Sequence, residues 1–484
     1  MSQQMEPTGP SSRSPGRRRP RALRAAAVAV GLAAVLFAVG AVGFSPWEPG
    51  SGGVNGDDPG ASSGSGSGAG APRGSVEALR AELRRVPENS VGWAQLGMAY
   101  VEEGRTGADP AVHARAESAL RRSLRIQPRD NYQAETGMGA LAAARHDFAT
   151  ALTWGRKAAA TNPSNAAAQG VLADAYTQLG RYEEAYRAVQ RMTDLRPGTA
   201  SLARASYTWE LRGDVPRARA LMKRALDSAA SPSDRAFARL HLATLAQESG
   251  DAATALREAS AGLREAGAGA GAGDGSGAGG SGGSRRPGGE RDDAPLLEAR
   301  ARAHAALGHD RQAVEDYTAA VAIVPLPQYV LGLGELQESL GRKAEARTQY
   351  GILRAQERVR RAGGAPADTD AILFEADHGD ADRAVTMGRE AVEARPFIAV
   401  QDAHAWALHR AGRDAEALPY ADRALALGTR GALSHYHRAM IHDALGNTAA
   451  AREDLARALA LDPRFHPLHA PRARTALDRI DASS

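Results

Sequence analysis

The chain has 484 residues, a formal charge of +4, 43% apolar residues, only 5% aromatic residues and no cysteine. The apolar content supports a folded protein with a core of mostly Ala, Leu and Val. The missing Cys excludes disulfides, thiolate metal sites and thiol catalysis. Six Arg lie between Arg13 and Arg24 against the single acid Glu6, so the rest of the chain is near neutral and has no basic surface to track phosphates. No nucleic-acid partner is expected.

Residues 1–24 are polar and basic and read as disordered. Ala25 to Phe44 is an uncharged apolar run long enough to span a bilayer as a helix. The Arg cluster before it places the N-terminus inside and the remainder outside. A cleaved signal peptide is the rival reading, with Ala38-Val39-Gly40 or Ala41-Val42-Gly43 as the small-residue site. The expected location is therefore the cell membrane, with one span and an extracytoplasmic array, or secretion after cleavage. Residues 45–74 are a Gly/Ser/Pro tether.

Helical periodicity begins near Ser75, with Val76 to Arg84 as a lone capping helix. A unit then recurs, clearest at Ala166 to Pro197. Leu172, Ala173 and Tyr176 share one face of a first helix, and Ala185, Val189 and Met192 one face of a second. Gly180 suits the turn between them, and Pro197 stops the second helix. The spacing Gly-x4-Ala repeats at Gly180/Ala185, Gly213/Ala218, Gly250/Ala255, Gly308/Ala313, Gly341/Ala346, Gly379/Ala384, Gly412/Ala417 and Gly446/Ala451. Two looser units contain Ala116, with an insertion after Gly104, and Ala151, with His146 where Gly is expected. The Ala and the small residue seven before each Gly are expected where paired helices approach most closely. Ser206 keeps that rule; Ile372 breaks it and predicts a distorted eighth unit.

These residues resemble the tetratricopeptide repeat family. Trp93, Leu96, Gly97 and Tyr100 match its W-x2-L-G-x2-Y opening, and Leu172, Ala173, Tyr176, Gly180, Tyr182, Ala185 and Pro197 match it again. The resemblance implies an all-α, right-handed solenoid of about ten helix-turn-helix units, whose first helices line a concave groove that binds peptides or proteins without catalysis. The expected order is five units over 75–265, a disordered Gly-rich linker over 266–290 that separates two lobes, five units over 291–470, and a capping helix and tail over 471–484. The stretch from His378 to Pro467 is also similar to a bacterial envelope subgroup, through Ala405 to Leu408 and Tyr436-His437 with Met440-Ile441.

No phosphate loop, HExxH or Ca-binding loop is present, and Gly279 to Gly283 matches a nucleophile elbow only formally. No cofactor and no enzymatic activity are expected. Eight of 13 His lie from His378 onward. His435 and His442 share a helix face, with His437 nearby and His466 and His469 able to approach from the tail. This gives the alternative of a metal-binding accessory protein built on His435, His437 and His442. The leading expectation is a membrane-tethered scaffold. Its groove residues would be Asp402, Trp406 and His409 on one helix and Tyr436, His437 and Met440 on another, forming an exposed aromatic patch with a polar rim.

Overall fold

The computed structural model describes residues 76–106, 111–271, 289–362 and 367–483. The expected membrane span at 25–44 and tether at 45–74 lie outside the described residues, as does most of the Gly-rich linker. Among the described residues there are 22 helices and no strand, and no helix is long and apolar enough to cross a membrane.

Helix α1 (Val76–Arg85) precedes ten pairs. The first five pairs are α2 (Ser90–Thr106) with α3 (Ala111–Ile126), α4 (Tyr132–Ala144) with α5 (Phe148–Thr161), α6 (Ala166–Gln178) with α7 (Tyr182–Leu195), α8 (Thr199–Leu211) with α9 (Val215–Asp227), and α10 (Pro232–Glu248) with α11 (Ala252–Gly271). The second five are α12 (Gly289–Leu307) with α13 (Asp310–Ile323), α14 (Pro327–Ser339) with α15 (Lys343–Ala362), α16 (Thr369–His378) with α17 (Ala381–Ala394), α18 (Ile398–Arg410) with α19 (Asp414–Leu425), and α20 (Ala432–Ala444) with α21 (Thr448–Leu461). Helix α22 (His469–Ser483) follows.

The alanine half of the small-residue rule holds in every pair. Ala116, Ala151, Ala185, Ala218, Ala255, Ala313, Ala346, Ala384, Ala417 and Ala451 are all buried. A Cβ on Gly334 would lie 2.6 Å from the Tyr350 ring, so even Ala is too large there. Ser206 fits because its hydroxyl donates to the Ala218 carbonyl at 2.8 Å and so satisfies itself against the facing helix. Gly180 takes the left-handed conformation, φ +68°, that closes the first helix. His146 stands in that slot and accepts the same conformation, φ +60°. The eighth unit departs from the rule: Gly379 has φ −133°, and α16 spans ten residues.

The stack runs on past the Gly-rich stretch. Ala243 of α10, Ala259 of α11 and Ala299 of α12 form one buried cluster, and Ala246, Ala255 and Ala303 another. The helices flanking the linker therefore pack against each other. The stretch is also shorter than expected, because α11 continues to Gly271.

Units distant in sequence also meet. The turn of the third unit abuts the link before the ninth: Ile398 donates its backbone N–H to the Tyr182 hydroxyl at 3.0 Å. At the next step Gly213 lies against the Gly428 carbonyl, where an added Cβ would sit 2.2 Å from the oxygen. At the one after, Gly250 lies against the Leu461 carbonyl. The glycine that suits each turn also leaves room for a backbone six units further on.

Candidate functional site

The first helices of the later units converge on a single buried network. In α18, Trp406 is 2% exposed. Its indole N–H donates to Asp377 Oδ2 of α16 at 3.1 Å. His437 of α20 stacks on the indole at 4.2 Å, and His409 stacks at 4.9 Å. His437 Nδ1 lies 3.1 Å from Asp402 Oδ2. Tyr436 packs against Trp406, Phe465 and His469.

The structure thus brings the six expected groove residues together, but not as an exposed patch. Asp402, Trp406, Tyr436 and His437 are buried, and His409 and Met440 are half-buried. Met440 lines an open crevice, about 360 Å³, shared with Pro471, Arg472, Thr475, Ala476 and Arg479. Phe465, in the link from α21 to α22, and His469, the first residue of α22, pack over Trp406 and Tyr436.

That covering stretch is held by specific polar contacts. His466 Nε2 lies 3.0 Å from Glu335 Oε2 on α14. His466 Nδ1 accepts the backbone N–H groups of Leu468 and His469 at 3.2 and 3.3 Å. An Nδ1 that accepts carries no proton, so Nε2–H is the donor to Glu335. His378 Nε2 reaches the other Glu335 oxygen at 3.2 Å. Burial pushes the Glu335 carboxyl up, but the two imidazoles outweigh it and hold it down at about 2.

His469 repeats the arrangement one unit on. Its Nε2 lies 3.2 Å from Asp377 Oδ2, and its Nδ1 lies 3.4 Å from Arg472 Nη1, which can only donate. Burial lowers its pKa to about 4 against the opposing pull of Asp377, so the ring is neutral at pH 7 and donates through Nε2–H. Burial alone would raise Asp377, but its imidazole and indole donors hold it well below the ordinary carboxylate range. Arg464 adds a bond from Nη1 to the Ala306 carbonyl of α12 at 3.0 Å.

Upstream on the first helices, Glu210 of α8 and Glu248 of α10 are half-buried partners. Burial, and then the charge of Glu248, raises the Glu210 carboxyl well above its ordinary value.

The three histidines considered as metal ligands go to three different places. His435 Nδ1 lies 2.8 Å from Asp454 of α21, His437 faces Asp402, and His442 meets Asn447 at its own helix end. Among the described residues no three His, Asp or Glu side chains are grouped to hold a metal ion. His466 and His469 approach Glu335 and Asp377, not His435 and His442. The periodicity that aligned His435 with His442 was sound along the helix but silent on what faced it. Glu335 lies on α14 and the adjacent Asp377 and His378 on α16, and spacing along either helix gave no sign that these side chains meet across units.

Two tetratricopeptide repeat models match, at residues 142–206 and 432–465. No curated protein matches the chain. Among solved structures it is similar to a tetratricopeptide repeat protein from Parabacteroides merdae, at 17% identity over 58% of this chain and 98% of that one, TM-score 0.31. It is also similar to yeast Tom70, at 12% identity over 82% and 96% of the two chains, TM-score 0.29. A third is the Cut9–Hcn1 hetero-tetramer, at 14% identity over 84% and 92%, TM-score 0.30. Scores this low say nothing about individual positions. The tetratricopeptide repeat models thus cover residues 142–206 and 432–465, and the same helix-pair pattern runs through the other described units.

Proposed function

We propose that the chain is a non-catalytic scaffold that binds a protein or peptide segment along the face lined by its first helices. One observation carries this reading. Helices α12, α14, α16 and α20, from four different units, together grip one irregular stretch of polypeptide, residues 464–469. A face that satisfies a looped stretch of chain through side-chain carboxylates, an aromatic stack and a helix-end carbonyl has the chemistry of peptide recognition. The large exposed apolar side chains of the described surface, Val86, Val91, Val359 and Leu445, are scattered.

The apolar run 25–44 supports a second part of the proposal, that the array is tethered to a membrane and faces outward. A photo-crosslinking residue at Met440 should capture partner protein in cells, whereas one at exposed Arg457 on α21 should not. Equal capture at both positions would refute groove binding. Protease added to intact cells should digest the array; protection would refute the outward placement.

A further inference from the structure

We infer that residues 464–469 are a ligand held in cis, and that the partner of this groove is a polypeptide segment presenting the same chemistry: an aromatic residue, an imidazole directly after it, and a second imidazole three residues further on. The inference rests on the groove reading above and gives it a specificity.

The stretch is not a tight connector. Residues 462–468 form the longest inter-unit link described in full; the link before α18 has three residues, 395–397. Nor does it merely touch its neighbours. His466 meets Glu335 across 131 residues of sequence, and Arg464 meets Ala306 across 158. Its side chains are used in succession. Phe465 packs on Tyr436, His466 bonds Glu335, and His469 bonds Asp377 while stacking on Tyr436.

The receiving side is built for such an occupant. The Glu335 and Asp377 side chains are each 8% exposed. A buried carboxylate without enough donors is strongly disfavoured. With the stretch removed, Glu335 keeps only His378, and Asp377 keeps the Trp406 indole and the Arg410 guanidinium at 3.5 Å. Both carboxylates therefore call for N–H donors from an incoming chain. The donors in place are neutral imidazoles, fixed as Nε2–H by the groups on their Nδ1 atoms. A tethered occupant competes at an effective concentration on the order of millimolar, so a free segment binds well only when the cis stretch is disabled.

The test uses a fluorescein-labelled peptide of residues 460–472 and the full chain. His466→Ala/His469→Ala in the chain should bind the peptide at least about tenfold more tightly than wild type, read by anisotropy. A peptide with both histidines changed to alanine should not bind. If the double variant is folded by circular dichroism and binds no better than wild type, the inference is wrong. Should that variant not fold, hydrogen exchange on the wild type decides. Excess peptide should accelerate exchange at the Leu468 and His469 amides, and unchanged protection refutes the inference. Failure here with groove-specific crosslinking at Met440 intact removes the cis ligand and leaves the scaffold standing. Loss of both removes the scaffold as well.

Discussion

Trp406 and Asp377 are joined by an indole-to-carboxylate hydrogen bond of 3.1 Å between neighbouring first helices, inside a cluster where the indole is 2% exposed. The ring fills volume and its N–H satisfies a buried charge, and the two roles can be separated. Trp406→Phe keeps most of the volume and strands the carboxylate of one donor, costing about 1.5–3 kcal/mol. Trp406→Ala adds a cavity and should cost about 3–5 kcal/mol. Urea unfolding gives both values. In a double-mutant cycle, Trp406→Phe with Asp377→Asn should be non-additive by at least about 0.5 kcal/mol. Additivity would mean the bond contributes nothing of its own.

Gly213 and Gly412 share a left-handed backbone, φ +74° and +72°, but differ in surroundings. A Cβ on Gly213 would meet the Gly428 carbonyl at 2.2 Å, while Gly412 has nothing within 4 Å. Gly412→Ala should therefore cost only the conformational term, about 1–2 kcal/mol. Gly213→Ala should cost clearly more and should also raise hydrogen exchange around residues 425–431, where the two distant units touch. Equal costs would show that this contact contributes little to stability.

The repeat itself was legible because it is local. Gly-x4-Ala sets both a turn and a close helix contact, and all ten alanines are buried as that spacing requires. Even the exception at His146 was marked, since it occupies the glycine slot with the glycine's backbone. What the sequence hid is non-local. Trp406 and Tyr436 looked free because their repeat positions face the groove, and nothing in periodicity says that residues 462–469 come back to fill it. That stretch follows the last repeat helix, α21, and only its first residues, 462–465, lie within a matched repeat. Asp174, on the first helix of the clearest repeat, pairs with Arg204, one unit on. Comparing charges about one repeat apart on first helices would have suggested that pair, but not the contacts that span several units.

Buried ionisable groups of opposite type should give opposite pH responses. Burial lowers His404 to about 4, so below pH 6.5 the unfolded chain takes up a proton that the folded chain refuses. Its share of stability is complete above pH 6.5 and falls as pH drops toward 4. His404→Gln should accordingly gain on wild type between pH 7 and pH 4.5. Burial, then the charge of Asp368, raises Asp370 to about 8, so folding at neutral pH requires proton uptake there. Its share of stability falls as pH rises from 3.8 toward 8. Asp370→Asn should therefore gain on wild type in the other direction, more at pH 7 than at pH 4.5. Thermal unfolding of the three proteins at both pH values checks this, and the same sign for both variants would contradict it. Comparison with wild type is needed because raised carboxyls such as Glu210 also contribute to the slope of the whole protein.

Arg204 and Asp174 form a two-pronged pair between α8 and α6, with Nε to Oδ1 at 2.9 Å and Nη2 to Oδ2 at 2.7 Å. The Arg204 side chain is 2% exposed and that of Asp174 22%. An ion pair this enclosed gives up hydration on both sides, so its presence is weak evidence that it stabilises. Removing one partner is a different matter, because the other is left charged, buried and short of acceptors. Asp174→Ala should cost about 3–5 kcal/mol in urea unfolding. Replacing both, as Arg204→Met/Asp174→Leu, should recover most of that loss, since no stranded charge remains and the volume is kept. If the double variant is as unstable as Asp174→Ala, the pair holds α6 and α8 in register in a way apolar packing cannot supply. In that case the register of the third and fourth units depends on charge as well as on the Gly and Ala spacing.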